Sequence, residues 1–196
     1  MPSSATGGVP HADVAFNPWY PWQFATIDQS GAWRVWETGF HGEHNPSTRL
    51  SQIAFGKLPE SDVLSNAQQS RDAGGWSKIA WAGDLFTLAV CNRDRLEVVA
   101  ISEEPKPALA PVLESGNKHG VIADVKLDPL HPERMFVLTT MDIFYLKVSS
   151  HIDTEASMHN TATTEILLKI RHFRDVADTS LHLLVFADGD GTFAFR

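Results

Sequence analysis

Hydrophobic and polar positions alternate along this chain in short groups that come back in the same order. The stretch Phe24 to Glu37, FATIDQSGAWRVWE, is an apolar run, a polar Asp-Gln-Ser-Gly break, and an alternating Ala-Trp-Arg-Val-Trp-Glu segment. Aromatic and β-branched segments on either side of a polar break predict a hairpin. A second such pair is Thr87 to Cys91 and Leu96 to Ile101, broken at Asn92 to Arg95. A third is Met135 to Thr140 and Ile143 to Val148, broken at Met141-Asp142. Each pair follows a lead-in segment: Asp13-Val-Ala-Phe-Asn-Pro18, Lys78-Ile-Ala-Trp-Ala-Gly-Asp84 and Asp124-Val-Lys-Leu-Asp-Pro129.

The first and third lead-ins have the same shape and stand 111 positions apart. Trp81 and Leu127 are separated by 46 residues, close to the period of about 40–45 for a four-stranded propeller blade. Phe16 and Trp81 are 65 apart, so the first unit carries an insertion. A fourth unit begins at Ser180 to Phe186, turns at Asp188-Gly-Asp-Gly191 and continues to Arg196. Val35-Trp36-Glu37 also resembles the Trp-acid close of a propeller-blade strand. The expected fold is all-β: a partial, WD40-like β-propeller of about three blades plus an incomplete one. A sandwich of short strands shares the spacing but not the repeated order of sub-elements. The expected domain spans residues 13–196 after a flexible N-terminus of residues 1–12, with inserted loops at about 38–75, 103–120 and 149–164. Inside the first insertion, Leu50 to Phe55 predicts a short strand. After the third, Glu165 to Phe173 reads as a strand, with a helix as the alternative. A propeller closes with roughly 4–8 blades, so either the sequence is a fragment of a longer chain or an open sheet edge is expected that a partner must cover.

Composition fits this picture and narrows the partners. A chain of 196 residues with 43% hydrophobic content suits one domain with a sizeable core. No run approaches the roughly 18 apolar residues of a membrane span, and MPSSATGGVP has neither the basic region nor the apolar core of a secretory signal. The single cysteine, Cys91, lies in an apolar segment and reads as a small buried hydrophobe in a reducing compartment. Net charge is −8, with 7 basic against 10 acidic residues in 1–98 and 9 against 14 in 99–196. Duplex binding calls for a basic stripe. The nearest cluster is Lys169, Arg171 and Arg174, so a protein-facing role is expected.

Candidate chemistry is sparse. His41 and His44 form a His-x-x-His pair beside Glu43, but a structural zinc site wants four ligands, commonly cysteines at tight spacing. Asp188-Gly-Asp-Gly191 starts like a calcium loop and lacks the later acceptors and the distal Glu, so a hairpin turn explains it. No Gly-x-Ser-x-Gly elbow, phosphate-cradling glycine loop or His-Glu-x-x-His is present. No metal, cofactor, catalytic residue or small-molecule substrate is expected. A propeller hydrolase would need acids such as Asp28, Asp94 and Asp142 to converge.

The remaining candidate is Asn17-Pro-Trp-Tyr-Pro-Trp22. Its prolines hold Trp19, Tyr20 and Trp22 extended. Such rings either anchor an interface or fill the gap between adjacent blades, and the second reading is the blander one. At these residues the chain resembles a known family. AFNPWYPWQFATIDQSGAWRVWE, with WSKIAWAGDLFTLAVCNRDRLEVV, DVKLDPLHPERMFVLTTMDIFYLKV and ILLKIRHFRD in the same order, is similar to the large propeller-bearing subunit of the fungal RNA polymerase I core factor. That resemblance covers roughly residues 13–178. It implies a non-enzymatic scaffold in the nucleus and nucleolus that assembles with the other core-factor subunits. The complex recruits polymerase I to ribosomal DNA promoters for rRNA transcription. The alternative is a generic WD40-like protein-interaction adaptor in another complex.

Overall fold

Where an apolar residue stands at every second position, one face of a strand is buried; where the run is unbroken, both faces are. The computed structural model shows both cases. It describes residues 8–39, 49–59, 75–101, 112–114, 120–152, 160–175, 178, 180–189 and 191–195. The first sheet holds β1 (His11–Phe16), β2 (Gln23–Asp28), β3 (Ala32–Gly39) and β4 (Arg49–Lys57). The second holds β5 (Ser77–Trp81), β6 (Thr87–Asn92), β7 (Arg95–Ala100) and β8 (Leu113–Glu114). The third holds β9 (Ile122–Leu127), β10 (Arg134–Thr139), β11 (Asp142–Ile152) and β12 (Asn160–Arg171). A fourth, two-stranded sheet pairs β13 (Leu184–Asp188) with β14 (Gly191–Phe195).

Each four-stranded sheet is an antiparallel meander in chain order, which is the construction of a propeller blade. All three expected hairpins are present, in registers such as Ala25↔Val35, Ala89↔Val98 and Val137↔Phe144. β12 settles the strand-or-helix alternative in favour of the strand. The expected extents need correction. The first strand begins at His11, inside the stretch assigned to a flexible N-terminus. Each segment read as an inserted loop contains β-structure: β4 lies in the first, β8 in the second, and β11 and β12 run into the third. Part of β4 was expected, at Leu50 to Phe55, and part of β12, from Glu165; their full extents and β8 were obscured because an outer strand buries little, so its sequence shows weak alternation.

The blades are held by shared cores between them. Ala25, Ile27 and Val35 of the first blade pack against Ile79, Trp81, Leu88 and Val90 of the second. On the other side of the second blade, Ala89, Cys91, Leu96 and Val98 meet Val125, Val137, Phe144 and Leu146 of the third. β6 is therefore covered on both faces, which is why Thr87 to Cys91 is an unbroken apolar run. Leu138, Phe136 and Ile143 of the third blade meet Leu181, Leu183 and Val185 around the last hairpin. Cys91 is buried as expected, and burial pushes its thiol up to about 12, far from a reactive thiolate.

The same backbone links recur in each blade. A loop-closing bond joins Asn17 N to Gln23 O, Ala82 N to Thr87 O, and Asp128 N to Arg134 O, each 3.0 Å. A polar side chain caps each central turn. Asp28 Oδ1 accepts from Ser30 N and Ala32 N, Asn92 Oδ1 from Asp94 N and Arg95 N, and Thr139 Oγ1 from Asp142 N. These are Asx and Ser/Thr turn devices. In the first blade the outer strand passes so close to Trp33 that a Cβ on Gly56 would overlap the indole.

Truncating Phe144, which is fully buried between the second and third blades, should lower unfolding free energy by about 3–5 kcal/mol. Lys126→Ala, at an exposed position on β9, should stay within about 0.5 kcal/mol. Urea denaturation of both variants measures the contrast.

Candidate protein-interaction face

In an antiparallel meander the loops after the first and third strands emerge on one face of the propeller. The loops after first strands are Asn17 to Trp22, Ala82 to Phe86, and Asp128 to Glu133. Proline dictates the first and the last. Asn17-Pro18-Trp19-Tyr20-Pro21 and Asp128-Pro129-Leu130-His131-Pro132 share one pattern, an Asx residue followed by Pro-x-x-Pro. The prolines fix φ and donate no N–H, so the Asx oxygen takes the two free amides between them. Asn17 Oδ1 accepts from Trp19 N at 3.0 Å and Tyr20 N at 3.2 Å. Asp128 Oδ1 accepts from Leu130 N at 2.9 Å and His131 N at 3.3 Å.

Each loop is then tied to the next blade. Asn17 Nδ2 donates to Leu85 O at 3.3 Å, and Gly83 N donates to Pro132 O at 2.9 Å. The Ser150 hydroxyl donates to the Asp84 carboxylate, and Thr192 Oγ1 donates to Asp128 Oδ1 at 2.7 Å. Asp128 is the most heavily used of these groups, because Tyr145 Oη also donates to its Oδ2 at 2.5 Å. Burial alone would raise its pKa, but hydrogen bonds from Tyr145, Thr192, Leu130 N and His131 outweigh that and hold it down at about 2. A chain of bonds thus fastens the loops of this face side by side.

On that fixed frame sit exposed apolar groups. Trp19 and Trp22 are 39% and 42% exposed, Phe86 and Leu130 are exposed on the corresponding loops of the second and third blades, and Tyr20 is half-buried. Trp22 O accepts from Thr38 N at 2.8 Å, so the backbone under the ring is anchored. The sequence singled out Trp19, Tyr20 and Trp22; the structure places the two indoles at the surface and only the tyrosine part-way inside. Trp33, Trp36 and Trp81 supply the buried packing instead. Phe86, Leu130 and the Asx hubs were missed, although the 111-residue echo of Pro-x-x-Pro carried the signal.

Other candidate chemistry separates. Asp28, Asp94 and Asp142 lie at the central turns of three different blades. His41, Glu43, His44, Glu103 and Glu104 lie outside the described residues. Among the described residues, no three His, Cys, Asp or Glu side chains come together as a metal-ligand group. Lys169 and Arg171 of the basic cluster face Asp142, at 3.2 and 3.8 Å. Arg93 stacks on Trp76 at 4.4 Å and donates to Ile122 O. Each of these cations has a partner within the fold, although Lys169 and Arg171 stay exposed. The turn of the last hairpin has Gly189 at φ +58°, as a tight turn requires.

The sequence model of the Rrn6 β-propeller family matches residues 1–195. The chain belongs to that family. No curated protein sequence matches it significantly. Among solved structures, it is similar to the Cps50 (Swd1) β-propeller domain of Myceliophteria thermophila, with 13% identity and a TM-score of 0.48. That likeness covers 84% of this chain and 48% of the other. Kluyveromyces lactis Hsv2 gives 11% identity and a TM-score of 0.46, covering 83% and 47%. The chain thus spans about half the length of the solved chains it matches.

Asp128 ionised is what its partners hold, and its folded pKa lies below the ordinary carboxylate value of about 3.9. It therefore contributes stability above pH 4 that is lost as pH falls toward 2. Asp128→Ala should cost on the order of 2 kcal/mol at pH 7 and flatten acid unfolding between pH 4 and 2. Denaturant titrations at a series of pH values read both effects.

Proposed function

We propose that this chain is a non-enzymatic scaffold segment of the RNA polymerase I core factor. It presents the loop face bearing Trp19, Tyr20 and Trp22 to the other core-factor subunits, in the nucleus and nucleolus. The complex so formed brings polymerase I to ribosomal DNA promoters for rRNA transcription. Membership of the Rrn6 β-propeller family carries this reading. The form of the aromatic face supports it: rigid, partly exposed indoles on a hydrogen-bonded frame lose little entropy on docking, and Trp is enriched among interface hot spots. The acidic balance of −8 and the pairing of Lys169 and Arg171 with Asp142 favour contact with proteins over direct contact with DNA.

The test is affinity purification of the tagged chain from nuclei, with mass spectrometry of its partners. The unaltered chain should recover the other core-factor subunits. The double variant Trp19→Ser, Trp22→Ser should lose them by tenfold or more while its thermal melting shifts by only a few degrees, because both rings are partly exposed. Recovery of an unrelated complex by both forms would favour the adaptor reading. Undiminished recovery of core-factor subunits by the double variant would move the interface elsewhere.

A further inference from the structure

The loop face that carries Trp19 and Trp22 is lined by charge of one sign. Its loops after first strands, Asn17 to Trp22, Ala82 to Phe86 and Asp128 to Glu133, hold the carboxylates of Asp84, Asp128 and Glu133 and neither lysine nor arginine. The turn of the last hairpin adds the exposed Asp188 on the same side, where Thr192 is bonded to Asp128. Two cations lie one strand position below these loops, and both stand beside acids. Arg134 Nε is 3.2 Å from Glu133 Oε1, with its guanidinium over the Tyr145 ring at 6.0 Å, and Lys147 is opposite Glu165 in the β11–β12 register. Arg93, Arg171 and Arg174 stand at a second-strand turn or at the end of a fourth strand, on the opposite face.

His131 adds an acceptor to the acidic side. Its Nδ1 lies 3.2 Å from Asp128 Oδ2. An ionised carboxylate only accepts, so Nδ1 carries the proton, and Nε2 of the neutral ring is left as an acceptor. The side chain is 40% exposed. Over this ground stand the partly exposed indoles of Trp19 and Trp22. An indole face attracts cations, and guanidinium suits it best, being planar and weakly hydrated. The fold uses the same pairing internally, where Arg93 lies 4.4 Å from the centre of the Trp76 ring.

Resting on the reading of this face as the interface, we propose that the segment it receives from a partner protein is basic and arginine-bearing. Its guanidinium groups stack on Trp19 and Trp22 and pair with Asp84, Glu133 and Asp188, while its apolar side chains cover Phe86 and Leu130. The indoles supply affinity, and the carboxylates supply selection, because an acidic segment or a phosphate backbone meets like charge here.

The test is titration calorimetry of the purified chain with synthetic peptides of four repeats each: Leu-Arg-Gly, Leu-Lys-Gly and Leu-Glu-Gly. The arginine peptide should bind tightest, the lysine peptide several-fold more weakly, and the glutamate peptide about tenfold more weakly or worse. Asp84→Asn with Asp188→Asn should weaken the arginine peptide by about five- to tenfold, as should Trp19→Ser with Trp22→Ser. Asp175→Asn with Asp178→Asn, an equal charge change beyond the opposite end of β12, should leave it within about twofold. Equal affinity for the arginine and glutamate peptides would overturn the proposal. So would the absence of saturable binding by the arginine peptide, or equal weakening by the two aspartate pairs. Recovery of core-factor subunits from nuclei reads the interface separately. If that recovery depends on Trp19 and Trp22 while the arginine peptide fails, the interface stands and its basic chemistry is overturned.

Discussion

Burial of the second blade on both faces is the constraint on which the rest of the structure depends. A four-stranded meander is amphipathic and cannot stand alone; it must give each apolar face to a neighbour. Leu88 and Val90 go to the first blade, and Ala89 and Cys91 to the third, so four consecutive positions of β6 are consumed in two interfaces. Once that strand is fixed, β5 and β7 follow by hairpin register, and the first and third blades take their places against it. At roughly 1.5–3 kcal/mol for each fully buried large aliphatic side chain, these stacks dominate the stability.

Hydrogen bonds then set the orientation that apolar stacking leaves free. The first-strand acids Asp13 and Asp124 reach the next unit's backbone near the inner edge. The loop residues Asn17, Asp84 and Asp128 reach the next unit at one face, Asn17 through the Leu85 carbonyl and the two acids through the Ser150 and Thr192 hydroxyls. Asp13 with Asp124 and Asn17 with Asp128 stand at repeated positions, so these links follow the same repeat that specifies the strands. The indoles of Trp19 and Trp22 inherit their placement from this network. A face built this way is already ordered, which lowers the entropic cost of docking.

Much of this was legible in the sequence, for a physical reason. Inner and middle strands are half or fully buried, so their alternation is strong, and the three central hairpins could be placed within a residue or two. Phe24 to Glu37 and Met135 to Val148 are examples. Outer strands were harder to see because their exposed faces tolerate any residue: Leu50 to Phe55 showed only part of β4, and β8 was hidden in a proline-rich segment. The site was half visible. Aromatic residues between prolines point to Trp19 and Trp22, but no local pattern tells which ring turns inward, and the exposure of Phe86 depends on a loop from another blade. Long-range partners such as Lys78 with Asp124 were invisible until the blades were stacked.

The account rests on blades joined through first-strand carboxylates over shared cores. Hydrogen exchange at the Ile79 and Leu183 amides tests it most directly, because each is bonded to a carboxylate of the preceding blade. In the native chain both amides should be strongly protected. Asp13→Ala should release Ile79 and leave Leu183 protected, and Asp124→Ala should do the reverse. Rapid exchange of both amides in the unaltered chain, or no change in either variant, would contradict it.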